Sequence, residues 1–402
     1  MSAYFRALSE LDFRRLYIGA TASSVGDGMS FVALTWLAVN RPHGTAELGI
    51  LIVLYTAPVF IGGWFAGALL DRFDKRHVIA IDSVIRGMAF ASVPVNQVFG
   101  LGADWLIFAV AILYGLLKMI PLAGFPSLIP DLVSDSNLGA ANALEGLSFG
   151  AAGIVGPAVA GLLIPAIGAA NVLLLDAMSY FIFAASAMTI RGPLATRAKA
   201  SPARAGLPQV LRFLITDLPI ASTTLAFMAF NVAEGMLLII GPWLAHNRLG
   251  GATALGVLLA ALAAGELGGS FLAGTWCARR PLLGIGGVEL VASVGYAVVY
   301  LATIEPLVAL GYAVVGFFSA PMTVWAQSMR MRRLPANFRG RAFAALRTLM
   351  QATLPLGAAL AAPLLDHGQF STTVAVMVFL GSAPALILLG LGFTRESTVL
   401  VG

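Results

Sequence analysis

Apolar residues gather along this chain into blocks of about 20 or more, the length a helix needs to cross hydrocarbon. Short polar stretches part them. Twelve blocks are readable, at 16–39, 47–70, 77–99, 104–129, 138–164, 170–190, 218–244, 252–277, 282–303, 307–329, 342–365 and 373–393. The pattern predicts an all-α polytopic membrane protein with twelve transmembrane helices. Six blocks precede the one extended polar segment, 191–212, and six follow it. The predicted organisation is an N-terminal six-helix bundle over 1–190, a basic linker over 191–217 and a C-terminal six-helix bundle over 218–402.

The two halves repeat. Shifted by 207 residues, Trp36-Leu37-Ala38, Asn40-Arg41, Gly44 and Leu48-Gly49 recur as Trp243-Leu244-Ala245, Asn247-Arg248, Gly251 and Leu255-Gly256. Between residues 28 and 67, 15 of 40 positions are identical at this offset. Asp27 falls on Glu234 and Asp82 on Glu289. Each half thus carries an acid at the matching point of its first apolar block. Internal duplication of this kind predicts a pseudo-symmetric pair of bundles around a central site, the architecture of a transporter.

Composition agrees. Hydrophobic residues make up 59% of the chain and charged residues 11%, where a soluble domain carries about 25% charged. The net charge of +5 invites a nucleic-acid reading, but its placement speaks against one. With both termini set in the cytoplasm, Arg41 and Arg248 lie outside and Arg86 and Lys118 lie within blocks. All other Lys and Arg residues fall on the cytoplasmic side, as the positive-inside rule requires. The basic balance therefore reports orientation, with anionic lipid as a partner of the linker residues Arg197, Lys199 and Arg204. Residues 2–12 mix Tyr4, Phe5, Leu8 and Leu11 with Arg6, Glu10 and Asp12, which suits a short helix on the inner membrane surface. The run after Arg14-Arg15 is too long for a signal peptide and reads as the first span. The single cysteine, Cys277, excludes internal disulfides and a cysteine metal cage.

Motifs narrow the class. Gly67-Ala68-Leu69-Leu70-Asp71-Arg72-Phe73-Asp74-Lys75-Arg76 resembles the loop signature of the major facilitator superfamily, with Asp74 in place of its second glycine. Gly156-Pro157-Ala158-Val159-Ala160-Gly161 resembles the Gly-Pro motif of the superfamily's antiporters, with alanines at 152 and 160 where glycines are usual. Gly26-Asp27, Asp82 with Arg86, Leu128 to Val133, Asn142-Ala143-Leu144 and Arg339-Gly340-Arg341-Ala342-Phe343 resemble the twelve-span drug and siderophore exporter branch. The resemblance implies that the first loop is a latch. In it Asp71 meets the eleventh helix near Arg341, Arg72 and Arg76 reach Asp131 or Asp135, and Lys75 completes the basic set. In the second half Ala278 stands where Asp71 does, so the latch is expected on one side alone.

A charge at mid-bilayer costs about 2.5–3.5 kcal/mol on insertion scales, so each one needs a reason. Asp27, Lys118, Glu234 and Glu266 lie within the first, fourth, seventh and eighth blocks. In the superfamily the first, fourth, seventh and tenth spans line the cavity, which implies that Asp27, Lys118 and Glu234 face one cleft. Phe31, Tyr114 and Phe230 each stand four residues from one of these charges, on the same helix face. Asn231 and Gln327 are candidate cargo ligands, or helix–helix contacts. Asp27 and Glu234 are candidate proton sites, with Asp27 as a static partner of Lys118 the competing reading; Glu266 is a weaker candidate. Asp82 and Arg86 are spaced as a self-neutralising pair on one turn. Asp176, Glu145 and Glu289 read as structural.

All four histidines fall in loops or at block ends, and neither a phosphate loop nor a Ser-His-Asp set is present, so neither metal, cofactor nor enzymatic chemistry is expected. The expectation is a monomeric secondary transporter of the inner membrane that exchanges protons for a small amphipathic molecule, a multidrug-type exporter. Siderophore export or lysolipid flipping on the same fold, and a non-transporting membrane sensor, are the alternatives.

Overall fold

The computed structural model describes residues 3–191, 207–275, 280–301, 304–335 and 339–395. Cys277, Ala278 and the linker residues Arg197, Lys199 and Arg204 lie outside the described residues, as does the side chain of Arg341. Among the described residues twelve helices are long and apolar enough to cross a membrane. They are α1 (Leu11–Val39), α2 (Gly44–Arg72), α3 (Lys75–Phe99), α4 (Leu106–Leu132), α5 (Asp135–Ile167), α6 (Ala169–Met188), α7 (Leu218–Asn247), α8 (Ala252–Thr275), α9 (Pro281–Leu301), α10 (Glu305–Arg333), α11 (Ala345–Asp366) and α12 (Phe370–Thr394). Each answers to one apolar block of the sequence. A short helix, Ala3–Ser9, precedes them.

The chain divides into two compact units, residues 1–199 with 245–260, and residues 200–244 with 261–402. In the first unit α6 packs along both α1 and α3, and α1 crosses α5. In the second, α9 packs along α10 and α12. Aromatic side chains such as Trp64 (88% exposed) and its repeat partner Phe271 (79%) stand on the outside. So many exposed apolar groups suit a hydrocarbon solvent.

Glycines fix the crossings, and the duplication repeats them. A Cβ on Gly28 of α1 would stand 3.2 Å from the Gly156 Cα of α5. At the equivalent point of the second unit, a Cβ on Gly235 of α7 would stand 3.1 Å from the Gly357 Cα of α11. Gly62 of α2 abuts the Leu116 backbone of α4, and its repeat partner Gly269 of α8 abuts the Phe317 backbone of α10. With little apolar driving force between helices in lipid, this close backbone approach supplies the packing. The remaining motif glycine, Gly161, packs against Gly256 within the first unit, where Thr253 Oγ1 donates to the Gly161 carbonyl at 2.8 Å. Pro157 lines the α1 crossing beside Gly28.

Prolines break two spans where the site needs bends. The α2 ladder lapses at Ala57-Pro58, because Pro58 has no N–H to donate. The α4 ladder lapses at Lys118; Pro121, three residues on, clashes with the carbonyl one turn back. The bends adjoin, since a Cβ on Gly115 would meet the Tyr55 carbonyl at 2.8 Å and Pro58 at 3.2 Å.

The sequence reading needs one correction here. Residues 207–217 are not polar linker. They hold an amphipathic helix, Leu207–Thr216, whose Val210 and Leu214 bury against Leu334, Ala342 and Leu346. Asp217 closes it, accepting from the Arg333 guanidinium at 2.9 Å and from the Ile220 N–H at the start of α7 at 3.1 Å. The i, i+4 spacing of Val210 and Leu214 was the available signal, masked by the flanking Pro and Arg residues.

Candidate functional site

Three helices of the first unit converge on Arg86, which is 1% exposed. From α3 itself, one turn earlier, Asp82 Oδ2 accepts from Arg86 Nε at 3.1 Å and from Nη2 in a tighter bond. From α1, Asp27 Oδ1 lies 3.9 Å from Arg86 Nη1. From α6, the Tyr180 ring stacks under the guanidinium at 4.5 Å, and its hydroxyl donates to Asp27 Oδ1. A desolvated cation over an aromatic face adds about 2 kcal/mol. Asp82 is fully enclosed, whereas the Asp27 side chain keeps 28% of its surface open. One guanidinium therefore joins a closed carboxylate to an open one.

Asp176 sits beside this group on α6, fully buried. Ser30 Oγ of α1 donates to its Oδ2, and Ser179 Oγ donates to its Oδ1 at 2.9 Å. Gly26 makes room for it, since a Cβ there would collide with Oδ1. No described cation pairs with Asp176.

The bends of α2 and α4 build an aromatic wall next to this cluster. Tyr55 and Tyr114 stack at 4.3 Å, Phe31 meets Tyr55 edge-on at 5.4 Å, and Phe90 lies 6.1 Å from Tyr114 and 5.5 Å from Tyr180. Lys118 Nζ hangs over the Tyr55 and Tyr114 rings at 5.8 and 5.6 Å. It feels Asp27 electrostatically but makes no ion pair with it.

Two expectations change. The cation against Asp27 is Arg86, not Lys118, and the Asp82–Arg86 pair is not self-contained, because it reaches α1 and α6. Asp176, read as structural, belongs to the same cluster. Sequence reasoning passed over Tyr55, Tyr180 and Ser30. A signal existed for one of them: Tyr180 stands four residues after Asp176, the spacing already used to match rings with charges.

In the second unit Glu234 of α7 is half-buried and has no described basic partner. Glu266 of α8 is exposed and within electrostatic range of Glu234. Phe230 is 2% exposed and packs on Tyr296 of α9 at 5.8 Å. Asn231 Nδ2 donates to the Met350 carbonyl at 2.8 Å, a contact between helices, while Gln327 is exposed on α10. Arg330, in the last turn of α10, is 3% exposed, with its guanidinium 5.0 Å from the Phe227 ring.

At the loop signature, Asp74 caps α3. It accepts from the Arg76 N–H at 2.9 Å and pairs with the Arg76 guanidinium at 2.7 Å. Arg76 Nη1 also donates to the Ile190 carbonyl at 2.9 Å, and Lys75 Nζ to that of Ser127 at 2.9 Å. Arg72 rests on the Phe73 ring at 5.7 Å. Arg76 is thus occupied by Asp74, not by Asp131 or Asp135. Asp131 instead lines a recess with Asp12, Arg15 and Arg191. Asp71 is exposed, and nothing stands within 4 Å of a Cβ on Gly67.

The Arg76 guanidinium holds the Asp74 carboxyl below the usual carboxylate range. A depressed folded-state value means that the cap contributes fully above the unfolded value. Its contribution disappears as pH falls through the folded one. Asp74→Ala is expected to cost about 1 kcal/mol as a lost N-cap. The difference in unfolding midpoint from wild type should be full at neutral pH and vanish at strongly acid pH, read by thermal melts in detergent.

Residues 2–399 match the profile of a family described as Transmembrane secretion effector. The multidrug efflux pump Tap of Mycolicibacterium fortuitum is 28% identical over 394 residues, covering 93% of each chain. The enterobactin exporter EntS of Salmonella choleraesuis is 26% identical over 335 residues, covering 82% of this chain and 80% of its own. Among solved structures, the nucleoside transporter NupG is similar with a TM-score of 0.75 at 12% identity, over 95% of this chain and 99% of its own. A bacterial homologue of the human lysosomal transporter Spinster is similar at 0.69 and 14% identity, over 97% and 98%. At these identities the structural likeness establishes the fold, that of the major facilitator transporters.

Proposed function

Because the chain belongs to the Transmembrane secretion effector family of the major facilitator superfamily, we propose that it is a proton-coupled exporter of small amphipathic or hydrophobic compounds. Membership makes it a twelve-span membrane transporter, not an enzyme. The finer reading places it in the inner membrane with both termini cytoplasmic, following the distribution of Lys and Arg. It works by alternating access, with Asp27 and Glu234 as the proton-exchanging carboxyls. Likeness to the Tap efflux pump supports the cargo class.

The observation that carries this reading is Asp27. Its side chain keeps 28% of its surface open, while the carboxyl is tied to Arg86 and Tyr180. Proton binding there weakens the Arg86 contact, and loss of the proton restores it, so a proton changes how α1 is held to α3 and α6. Phe31, half-buried beside the packed Tyr55 and Tyr114 rings, gives a flat apolar cargo a ring to lie on, and Lys118 and Asp27 add charge. A second reading, export of an acidic siderophore-like cargo, is favoured by Lys118 over the tyrosine rings and by likeness to the EntS exporter.

Proteoliposomes loaded with an amphipathic fluorescent cation test the proposal. An imposed proton gradient should drive cargo flux in wild type. Asp27→Asn and Glu234→Gln should each slow it by at least about tenfold, a barrier change of ~1.4 kcal/mol. Flux indifferent to the gradient would reject the coupling, and flux of acidic cargo alone would select the second reading.

A further inference from the structure

The duplication has a gap that bears on coupling. In the first unit the acid pair Asp27 and Asp82 is bridged by Arg86. The same offset of 207 residues carries Asp27 to Glu234, Asp82 to Glu289 and Arg86 to Ser293. Both acids survive in the second unit while the cation between them does not. Ser293 replaces none of its charge, since its hydroxyl donates to the Glu289 backbone carbonyl at 2.8 Å.

Glu289 is left in an unusual state. It is 0% exposed, and neither carboxyl oxygen has a hydrogen-bond partner. The Tyr296 hydroxyl, two turns along the same face of α9, is likewise buried without a partner. The Tyr296 ring also packs on Phe230 at 5.8 Å, one turn before Glu234 on α7, and so stands between the two acids. Among the described residues, the elements around α9 bring no compensating charge. Tyr312 is the ionisable group of α10 that faces Tyr296; the other ionisable groups of α10, Glu305, Arg330, Arg332 and Arg333, sit at its ends. Described α12 has no ionisable side chain and meets Ser293 through Gly381.

A bare carboxylate in so dry a place is strongly disfavoured. A proton or another small cation must take the place of Arg86. A hard metal ion needs about six oxygens, and no cluster of three or more potential metal ligands occurs among the described residues. We propose that Glu289 is a second proton-carrying carboxyl of the C-terminal half, exchanging its proton with Glu234 by way of Tyr296. This rests on the proton-coupled reading above and adds a site to it. In the step, once a side-chain movement brings the hydroxyl within hydrogen-bond reach of both acids, Tyr296 gives its proton to the Glu234 carboxylate and takes the Glu289 proton, ending unchanged. The two halves then differ in kind: a fixed positive charge bridges the acids in the first, a movable one in the second.

Infrared difference spectroscopy on the reconstituted full chain, titrated in H2O and D2O, tests the assignment. Wild type should show a protonated-carboxyl band that Glu289→Gln removes and Glu234→Gln leaves in place. Glu289→Gln, and more weakly Tyr296→Phe, should cut proton-driven flux by at least about tenfold while flux down a cargo gradient persists. Glu289→Asp should restore part of the coupling, which a purely structural role would not require. A band unaltered in Glu289→Gln, or coupling unchanged in that variant, overturns the assignment. Flux driven by a sodium gradient and indifferent to protons overturns it as well. Absence of proton-driven flux in wild type strikes the parent reading, and is told apart because it is measured without any variant.

Discussion

Arg86→Leu is expected to lower the stability of the first unit by about 3–5 kcal/mol, the usual cost of removing one partner from a buried ion pair. The geometry puts it at the upper end. Asp82 is enclosed, and both of the bonds it accepts come from this guanidinium. Leucine fills the space and leaves the carboxylate bare in a low-dielectric interior. The Tyr180 ring loses its cation and Asp27 loses its nearest positive charge, so the α1–α3–α6 junction loosens together. Arg86→Lys should rescue little, because an ammonium cannot present Nε and Nη2 to one carboxylate while lying flat on a ring. The decisive comparison is Asp82→Leu with Arg86→Leu. When both charges go, no bare carboxylate is left at 82, and much of the lost stability should return, short of what Asp27 and Tyr180 drew from the guanidinium. Unfolding midpoints in detergent for the four proteins of this cycle give the coupling energy directly. Recovered stability without recovered transport would separate the fold's need for the pair from the function's.

The fold was legible because lipid imposes it. With no water to satisfy the backbone, an apolar run of about 20 residues has one economical solution, a helix. Block lengths therefore predicted every span. The duplication was legible in part because helix crossings leave little room for a side chain: Gly28 with Gly235 and Gly62 with Gly269 hold the same crossings in both units. What sequence could not supply was the direction in which each helix turns its polar residues. A periodicity argument needs a polar face and an apolar one, and a span buried among other spans has neither. So the i, i+4 spacing pairs Arg86 within its own helix, although its guanidinium is long enough to serve α1 and α6 as well. Asp176 gives no signal of its own, because its partners, Ser30 and Ser179, carry no charge. Arg330 stands beside Arg332 and Arg333, as a loop charge would, yet its place on the helix turns it inward.

The glycine crossings set the second large effect. Gly156→Val is expected to destabilise the first unit by about 3 kcal/mol or more, the top of the range for overpacking. A Cβ at this point would stand 2.5 Å from the Val25 carbonyl oxygen and 2.9 Å from the Gly28 Cα. Both neighbours are backbone, so no rotamer change relieves the contact, and α5 must back away from α1. That displacement would also disturb the α1 face that carries Asp27 and Ser30, so transport should fall with stability. Helix propensity argues the other way, since any residue but proline suits a helix better than glycine, by up to ~1 kcal/mol for alanine. Clearance decides between the two. Gly146, on the same helix with nothing within 4 Å of a Cβ, is the control. Gly146→Ala should leave the midpoint unchanged or raise it, while Gly156→Ala already lowers it and Gly156→Val lowers it further. Equal midpoints for Gly146→Ala and Gly156→Ala would mean that the two helices do not meet backbone to backbone, and the repeated crossing at Gly235 and Gly357 would lose its meaning with it.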